Sequence, residues 1–339
     1  MSVEFKILPK AASVIPEPIR PPGRNYYRIG IHADIPGLPK EARLSFARIN
    51  EFIGNDYARL FDYPFFAEHI NNSKRAIVET AERSLSRASE DEPKKVLVLG
   101  SGNCLDIPLA ELTDRFDKVT LVEVDYESTE RAVKALSPLR QSKVTIIAAD
   151  ASGILKEFAD GTSQSLGSSI DDFQSSMTAF TQKMTVKGKD LNLGDNYTFV
   201  CSQLLMSQLA FLPINFLRVV FKAKYGQDFD NNLEANNSQL FYNLQRLTVE
   251  MQQEHIRQLA GLVSPEGTVH LADTYAQLTQ GVEEAQIMVH REVVDPIIAK
   301  HFSSVFQEPN IWEWVNSPGE KSFIVVANSL DARKEQPVG

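Results

Sequence analysis

Three short apolar runs, separated by segments of helical spacing, mark the middle of the chain. They cover residues 96–99, 119–122 and 144–149 and are rich in β-branched side chains. Strands that are apolar on both faces are typical of parallel sheets covered by helices on both sides. The pattern therefore predicts an α/β, doubly wound sheet. Ligands of such sheets bind beyond the carboxyl ends of the strands.

Later segments extend this sheet. We expect a fourth strand at residues 197–201 and a fifth at 268–273, with a long helix over residues 240–262 between them. The tail carries two more strands, 310–315 and 322–327, joined by a short turn. Strands joined by so short a turn pair antiparallel. The predicted fold is thus a mostly parallel, seven-stranded sheet that ends in an antiparallel hairpin.

The chain before the first strand has a different pattern. Residues 1–40 are rich in proline and predict an extended arm. Helical spacing follows, with a cluster of aromatic residues at 57–66. We predict an arm and helical cap over residues 1–92, then one catalytic domain over 93–330. Residues 40–80 are expected to pack over the carboxyl ends of the strands. For the aromatic residues, packing of the cap on the sheet is the favoured role, and lining of a site at this edge is the alternative.

Two segments interrupt the regular alternation of strands and helices. Residues 161–194 are polar and rich in serine, threonine and glycine, and residues 205–239 become rich in asparagine. The first segment is longer than most connections in a compact domain. We predict insertions in both places, with a short helix near residues 173–184 in the first. We expect the first segment to be a mobile lid with too few apolar positions to build a core, and a plain surface insertion is the alternative.

Composition narrows the class of protein. The 339 residues are 43% hydrophobic and 23% charged, as in an ordinary folded domain, and only two are cysteine, which excludes a disulfide framework. A net charge of -9 argues against a nucleic-acid partner, because such binders usually carry a basic face. The start lacks a signal-peptide pattern and no apolar run approaches the ~20 residues that span a bilayer. We expect a cytoplasmic protein without a membrane partner, and its oligomeric state stays open.

The loop after the first strand has the composition of a ligand-binding turn. It reads Gly100-Ser101-Gly102-Asn103-Cys104. Gly100 permits a tight exit from the strand, and Gly102, which lacks a Cβ, lets a ligand approach the backbone. A helix predicted over residues 105–112 would direct its amide groups at the same place.

Acidic residues end the next two strands. Glu123 lies 21 residues after Gly102, Asp125 follows two residues later, and Asp150 ends the third strand. An acid after the second strand is placed to accept hydrogen bonds from a ribose diol, and Asp150 could meet an adenine amino group. The alternative interpretation is that these acids only cap the helices that follow them.

These segments resemble the class I, Rossmann-like methyltransferases that use S-adenosylmethionine, over roughly residues 94–330. The resemblance implies S-adenosyl-L-methionine as the cofactor. It says nothing about the methyl acceptor, for which we expect a small or medium-sized molecule. The cofactor-binding residues that it implies are Gly100, Ser101, Gly102, Asn103, Glu123, Asp125, Asp150, Ala151 and Cys201. Two features depart from the family's pattern. The third glycine of its first motif is missing, and residues 200–203 lack the signature of enzymes that methylate amino groups.

Methyl transfer needs few catalytic groups from the protein, because the sulfonium of the donor is already activated. The protein must align donor and acceptor and exclude water, and a general base is needed only if the acceptor loses a proton first. Candidate catalytic residues are Ser202, Asp273 and Tyr275. No metal site is predicted. Aminopropyl or aminocarboxypropyl transfer remains an alternative, as does a non-catalytic binding protein that kept the fold.

Overall fold

The computed structural model describes residues 64–124, 126–186, 193–194, 196–230, 238–279, 286–289, 291–304, 309–317 and 321–333. The helices within these ranges are α1 (Pro64–Arg87), α2 (Leu109–Arg115), α3 (Tyr126–Lys134), α4 (Pro138–Gln141), α5 (Leu155–Gln164), α6 (Ile170–Lys183), α7 (Phe211–Tyr225), α8 (Ser238–Leu262) and α9 (Arg291–His301), with a 3₁₀ turn at Met206–Gln208. The strands are β1 (Lys95–Leu99), β2 (Lys118–Glu123), β3 (Val144–Ala148), β4 (Tyr197–Gln203), β5 (Val263–Thr279), β6 (Gln286–Ile287), β7 (Phe302–Ser304), β8 (Asn310–Ser317) and β9 (Lys321–Ala332).

All of these strands form one sheet with the order β3-β2-β1-β4-β5-β9. The first five strands pair in parallel, and β9 runs antiparallel to β5. Beyond β9, β7 pairs with its last residues and β8 with its first, both antiparallel. The predicted α/β fold, with a mostly parallel sheet and an antiparallel C-terminal hairpin, is confirmed. The described part of the chain has nine strands because β6 adds a short pair to β5, and β7 and β8 share one position.

Burial on both faces explains why the first strand is wholly apolar. Val96 and Val98 pack with Ile77 of α1 on one face of the sheet. Leu97 and Leu99 lie on the other face, in the core to which α8 contributes. We call these the α1 face and the α8 face. Each such side chain, when fully buried, stabilises the fold by about 1.5–3 kcal/mol.

A separate helical core fills much of the region predicted as insertions. Helices α5 to α8 pack around Phe158, Phe173 and Phe221, each of which is almost completely buried. The expectation that residues 161–194 have too few apolar positions for a core is therefore wrong for the described residues 161–186. The reason is that the few apolar residues, such as Phe173 and Met177, recur at helical spacing on one side of α6.

Helix α1 lies along β4 and runs antiparallel to it. Ser84, near the end of α1, donates to the carbonyl of Thr198 at the start of β4. Ser73, eleven residues earlier, accepts from Gln203 at the end of β4 over 2.9 Å. The helix therefore packs on the α1 face, and its first half reaches the carboxyl edge of the sheet. Residues 40–63 of the predicted cap lie outside the described residues.

Among the described residues, no helix is long and apolar enough to cross a membrane.

Candidate active site

The two glycines after β1 meet different structural requirements. Both have left-handed backbone, with φ of +69° at Gly100 and +50° at Gly102. A Cβ at Gly100 would lie 2.8 Å from a side-chain methyl of Leu205, so the Leu205 side chain would have to shift to admit a larger residue. At Gly102 the same atom would meet nothing within 4 Å. Gly100 therefore serves packing, whereas Gly102 leaves open space where a ligand can approach the backbone.

Non-glycine residues with the same backbone also cluster at this edge of the sheet. Cys104 in the glycine loop has φ of +56°, and Leu204, directly after β4, has φ of +54°. Left-handed backbone costs a non-glycine residue roughly 1–2 kcal/mol. Such strain concentrates at sites where a fixed loop shape serves binding or catalysis. The carboxyl ends of β1 and β4 are thus shaped at the expense of local stability.

The helix after the glycine loop begins later than predicted. Helix α2 starts at Leu109 instead of Leu105, after Pro108. Residues 105–108 form an irregular segment that buries Ile107 and places Asp106 near the end of β4. The amide groups of α2 therefore do not begin at the glycine loop, and Asp106 takes a position that the sequence analysis had assigned to a helix.

Glu123 joins the end of β2 to the glycine loop. Its Oε2 accepts a hydrogen bond of 2.7 Å from the amide of Gly102, and its Oε1 accepts one of 2.8 Å from the amide of Val124. Thr129 supports the same junction by donating to the Gly102 carbonyl over 2.7 Å. These contacts fix the orientation of the Glu123 carboxylate beside the glycine loop. Asp125, the other acid predicted to bind the cofactor at the end of this strand, lies outside the described residues.

Asp150 has the geometry of a helix cap. Its Oδ1 accepts from the amide and the hydroxyl of Ser152, over 2.9 Å and 2.6 Å, and its Oδ2 accepts from the amide of Leu155 over 2.8 Å. Leu155 begins α5. These contacts agree with the alternative interpretation, in which Asp150 caps the helix that follows it. Ala151 follows it and is partly buried.

The structure adds a carboxylate that the sequence analysis missed. Asp106 lies close enough to Gln203 for the two side chains to interact. Burial raises the pKa of Asp106, while the hydrogen bonds and the positive charge of Lys74 on α1 act in the opposite direction. Burial raises the pKa of the Cys104 thiol, and the charges of Asp106 and Glu123 raise it further. The only sequence signal for Asp106 was its position four residues after Gly102.

Gln203 connects Asp106 to a buried polar cluster on the α1 face. Its Nε2 donates to Ser73 over 2.9 Å, and its Oε1 lies 3.1 Å from Nε2 of His270 in β5. The other ring nitrogen of His270 lies 3.3 Å from the hydroxyl of Thr80 in α1. Burial lowers the pKa of His270 to about 3, so the imidazole is neutral at physiological pH.

The three predicted catalytic residues belong to the α8 side of the sheet and have structural contacts. Ser202 is fully buried and lies 2.8 Å from Nε2 of His255 in α8. Asp273 is fully buried and accepts from the amides of Ser207 and Thr274 over 3.0 Å and 2.7 Å. Tyr275 packs in the core of the α8 face.

The ionisation of these residues also departs from what a solvent-exposed base would show. Burial raises the pKa of Asp273 to about 6, against the hydrogen bonds that it accepts. It also raises the pKa of the Tyr275 phenol. Cys201, which the resemblance placed beside the cofactor, is fully buried in the core of the α1 face, and burial raises the pKa of its thiol. These side chains therefore have packing and capping contacts in the described part of the chain, and their predicted contact with a ligand stays a prediction.

No protein-family model matches the chain, and no curated protein sequence matches it. Solved structures similar to it include a ribosomal protein L11 methylase from Lactobacillus delbrueckii subsp. bulgaricus (9% identity, TM-score 0.35, 76% of this chain and 79% of that one). A second is an rRNA methylase from Streptococcus thermophilus (10% identity, TM-score 0.34, 76% of this chain and 95% of that one). A third is a SAM-dependent methyltransferase from Thiobacillus denitrificans in complex with S-adenosyl-L-homocysteine (12% identity, TM-score 0.35, 75% of this chain and 91% of that one). The strand order, rather than these scores, defines the fold, and the predicted resemblance is confirmed at that level.

One prediction about partners is corrected by these similarities. We argued from the net charge of -9 against a nucleic-acid partner. That prediction is wrong, because an rRNA methylase is among the structures similar to this chain. Net charge describes the whole chain, whereas a nucleic acid meets only one face of a protein. An acidic balance is therefore no ground for excluding an RNA acceptor.

Proposed function

We propose that this chain is an S-adenosylmethionine-dependent methyltransferase whose donor lies across the carboxyl ends of β2, β1 and β4. The observation that best supports the proposal is the contact of Glu123 with the amide of Gly102 over 2.7 Å. It sets a carboxylate directly beside a glycine whose Cβ position is open. A nucleoside could lie over this junction with its ribose hydroxyls on the acid and its chain along the loop.

The direction of β9 favours this proposal over a dinucleotide dehydrogenase. Dinucleotide-binding sheets of the order 3-2-1-4-5-6 are built from parallel strands. Here the strand next to β5 is β9, which runs antiparallel to it over most of its length, from Thr268 opposite Asp331 to Thr279 opposite Lys321. A reversed strand at this position is the feature by which the resembled methyltransferase fold departs from that of the dehydrogenases.

The residues of the site fit an adenosyl amino acid. Glu123 would hold the ribose hydroxyls, and the space at Gly102 would let the ligand pack on the backbone. Asp106, on the β4 side of the loop, would accept hydrogen bonds from a cationic part of the ligand. When bound, S-adenosylmethionine supplies an activated methyl group, so the task of these residues is to orient it and to keep water away.

Calorimetric titration of the purified chain with S-adenosylmethionine, S-adenosylhomocysteine and NAD tests the proposal. We expect both adenosyl compounds to bind and NAD to bind much more weakly. Tight binding of NAD alone, or of none of the three, would contradict it. Turnover is then followed by the nucleoside product. S-adenosylhomocysteine indicates methyl transfer, whereas methylthioadenosine indicates transfer of the aminopropyl or aminocarboxypropyl group.

The acceptor is identified in the same assay with methyl-labelled donor. RNA, protein and small-metabolite fractions of a cell extract are offered separately, and the labelled fraction names the acceptor class. A small or medium-sized acceptor remains a prediction, and label in RNA would replace it. Glu123→Ala is the matched negative control, because it should lose incorporation into every fraction.

A further inference from the structure

The strands β5, β9 and β8 project beyond the carboxyl end of β4. Strand β4 ends at Gln203, opposite Ala272 of β5, whereas β5 continues for seven more residues to Thr279. Strand β9 stays paired with β5 as far as Lys321, and β8 pairs with the same part of β9. At about 3.3 Å per residue, the projection is roughly 20 Å long. It stands beside the end of β4, where the proposed donor site ends.

The α1 face of this projection carries both tryptophans of the chain. Trp314 packs with Leu204, the residue that directly follows β4. Trp312, two residues earlier and on the same side of β8, packs on one alanine each from α1, β5 and β9: Ala76, Ala272 and Ala327. The three small side chains leave room for an indole ring against the sheet.

His69 connects α1 to these rings. It lies one helical turn before Ser73, which contacts the end of β4, so α1 carries it past that strand. The indole of Trp312 donates a hydrogen bond of 2.9 Å to Nδ1 of His69. The imidazole stacks on Trp314, with 4.5 Å between the ring centroids, and Trp314 lies 5.2 Å from the ring of Phe323 in β9. We call His69, Trp312, Trp314 and Phe323 the tryptophan cluster.

The hydrogen bond from Trp312 to His69 has only one possible direction. An indole N–H can donate but cannot accept, so Nδ1 of His69 must be the acceptor. Burial lowers the pKa of His69 to about 4, so its ring is neutral at physiological pH and carries its proton on Nε2. The cluster is therefore uncharged, and the orientation of the Trp312 ring depends on the Nδ1 atom of His69.

Exposure differs between the members of the cluster. His69 is 2% exposed and Trp314 8%. Trp312 and Phe323 are only partly buried. The inner pair therefore packs within the protein, whereas the outer pair keeps part of its ring surface accessible. Aromatic rings prefer stacked or edge-to-face neighbours, and such stacking holds planar rings of different chemistry in proteins. The accessible surface thus suits a flat, aromatic ligand.

We infer that the tryptophan cluster binds the planar ring of an aromatic methyl acceptor, with Trp312 and Phe323 in contact with the ring and His69 as the positioning residue that orients Trp312. The inference rests on the proposed function, in which the donor runs from Glu123 at β2 toward β4. A nucleophilic oxygen or nitrogen of the acceptor would form the new bond to the methyl carbon. The S–CH₃ bond breaks with its electron pair left on sulfur, which gives S-adenosylhomocysteine, and the proton displaced from the acceptor goes to water.

Tryptophan fluorescence tests the site without a donor. Both tryptophans of the chain belong to the cluster, so quenching by a bound ring reports contact there. We expect phenol and guanosine to quench the emission of the full chain saturably. Cyclohexanol, which matches phenol in size but is not planar, should leave the emission unchanged. No saturable quenching by either planar probe, or equal quenching by cyclohexanol, would overturn the inference.

Two further readings of the same titration identify what supplies the ring. A single-stranded RNA that contains guanosine and binds at least about tenfold more tightly than free guanosine would indicate a ring presented by RNA. Binding no tighter than that of the free ring would indicate a small molecule. Emission that changes with protein concentration alone would assign the aromatic surface to a second copy of the chain and would overturn the inference.

Variants separate orientation of the ring from packing. Trp312→Leu should weaken binding of phenol, read from Trp314, at least about fivefold. His69→Leu should also lose affinity, whereas His69→Gln, whose carbonyl oxygen can accept from the indole, should restore it. Tyr242→Leu, which removes a 63% exposed ring of α8, is the matched control and should bind phenol as the wild type does. If His69→Leu fails to fold, Phe323→Leu must show the loss, and unchanged affinity there overturns the inference.

The assay with methyl-labelled donor completes the test. The labelled product should carry its methyl group on an aromatic ring or on an atom attached to one. Trp312→Leu should raise KM for that acceptor at least about fivefold, more than it lowers kcat, with the affinity for S-adenosylhomocysteine unchanged. Label on an aliphatic group would overturn the inference. Quenching by planar probes in a protein that binds no adenosyl compound would contradict the proposed function alone, and adenosyl binding without quenching would contradict the aromatic site alone.

Discussion

The ring of Phe180 in α6 packs directly over Gly161 in α5, so closely that a Cβ at Gly161 would lie 2.2 Å from the ring. The contact fixes two helices of the helical core. We predict that Gly161→Ala destabilises the protein by about 1–3 kcal/mol, because the added methyl group overpacks this contact. Urea denaturation, read from the midpoint of the transition, measures the change.

Gly261→Ala provides the comparison. Gly261 lies in α8, and a Cβ there would meet nothing within 4 Å. Since alanine is the better helix former, this substitution should stabilise the protein by up to about 1 kcal/mol. If both glycine variants changed stability in the same direction, the close packing of α5 on α6 would be wrong.

Amide hydrogen exchange should show that α6 is a structural element. Its buried residues Phe173 and Met177 contribute to the core formed with α7 and α8. Amides in such a helix open only with the unit to which it belongs. We expect slow exchange over Ile170–Lys183 in the absence of any ligand. Fast exchange there, slowed by S-adenosylhomocysteine, would restore the lid that the sequence analysis predicted.

Buried histidines should make the fold sensitive to acid. Burial lowers the pKa of His69 and His255 to about 4 and that of His270 to about 3, from 6.5. Below pH 6.5 the unfolded chain binds protons on these histidines that the folded chain does not bind. The folded state is therefore favoured most above pH 6.5, and the free energy of unfolding decreases as the pH falls. Asp273 has the opposite sign, because its pKa rises from 3.8 to about 6.

The net effect is a steep loss of stability in mild acid. The histidines take up three protons on unfolding, and Asp273 and Asp106, whose pKa values burial raises, already hold protons in the folded state. About one to two protons are therefore taken up, so the free energy of unfolding should fall by roughly 1–3 kcal/mol per pH unit below about pH 6. Urea denaturation at several pH values measures this slope. A stability that stays constant down to about pH 5 would contradict the burial of these rings.

Asp273 should act as a structural cap. It accepts from the amides of Ser207 and Thr274 at once. In Asp273→Asn the side-chain NH₂ must face one of these donors, which leaves a buried amide unpaired and costs about 1–3 kcal/mol. The affinity for S-adenosylhomocysteine should stay close to that of the wild type under conditions where the variant is folded. A loss of turnover with unchanged stability would return Asp273 to the catalytic role that the sequence indicated.

The sheet could be predicted because its strands carry a strong local signal. Apolar runs such as Val96–Leu99 are buried on both faces, and the turn between β8 and β9 is too short for any pairing but antiparallel. The helical core was missed because α6 mixes its buried positions with serine, threonine and aspartate. The pattern near Phe173 predicted a short helix, but the average polarity of the segment gave no sign of the core to which that helix belongs.

The site was predictable only in part, for a related reason. The glycines after β1 and the acid at the end of β2 could be predicted as site residues, because they directly follow strongly apolar strands. At the end of β4, however, Ser202 and Gln203 point to opposite faces, because side chains of a strand alternate. A strand with apolar residues on both faces gives no sign of which face is which. The sequence analysis chose Ser202, whereas the structure places Gln203 beside Asp106.

The affinity of Glu123 variants for S-adenosylhomocysteine tests the account most directly. Glu123→Ala should weaken binding at least about tenfold, because hydrogen bonds to a charged group contribute roughly 1.5–3 kcal/mol each. Glu123→Gln keeps an acceptor for the Gly102 amide and separates loss of charge from collapse of the loop. Glu130→Ala, which removes an exposed partner of Lys134 in α3, is the control and should bind as the wild type does. Wild-type affinity in Glu123→Ala would contradict the proposed site.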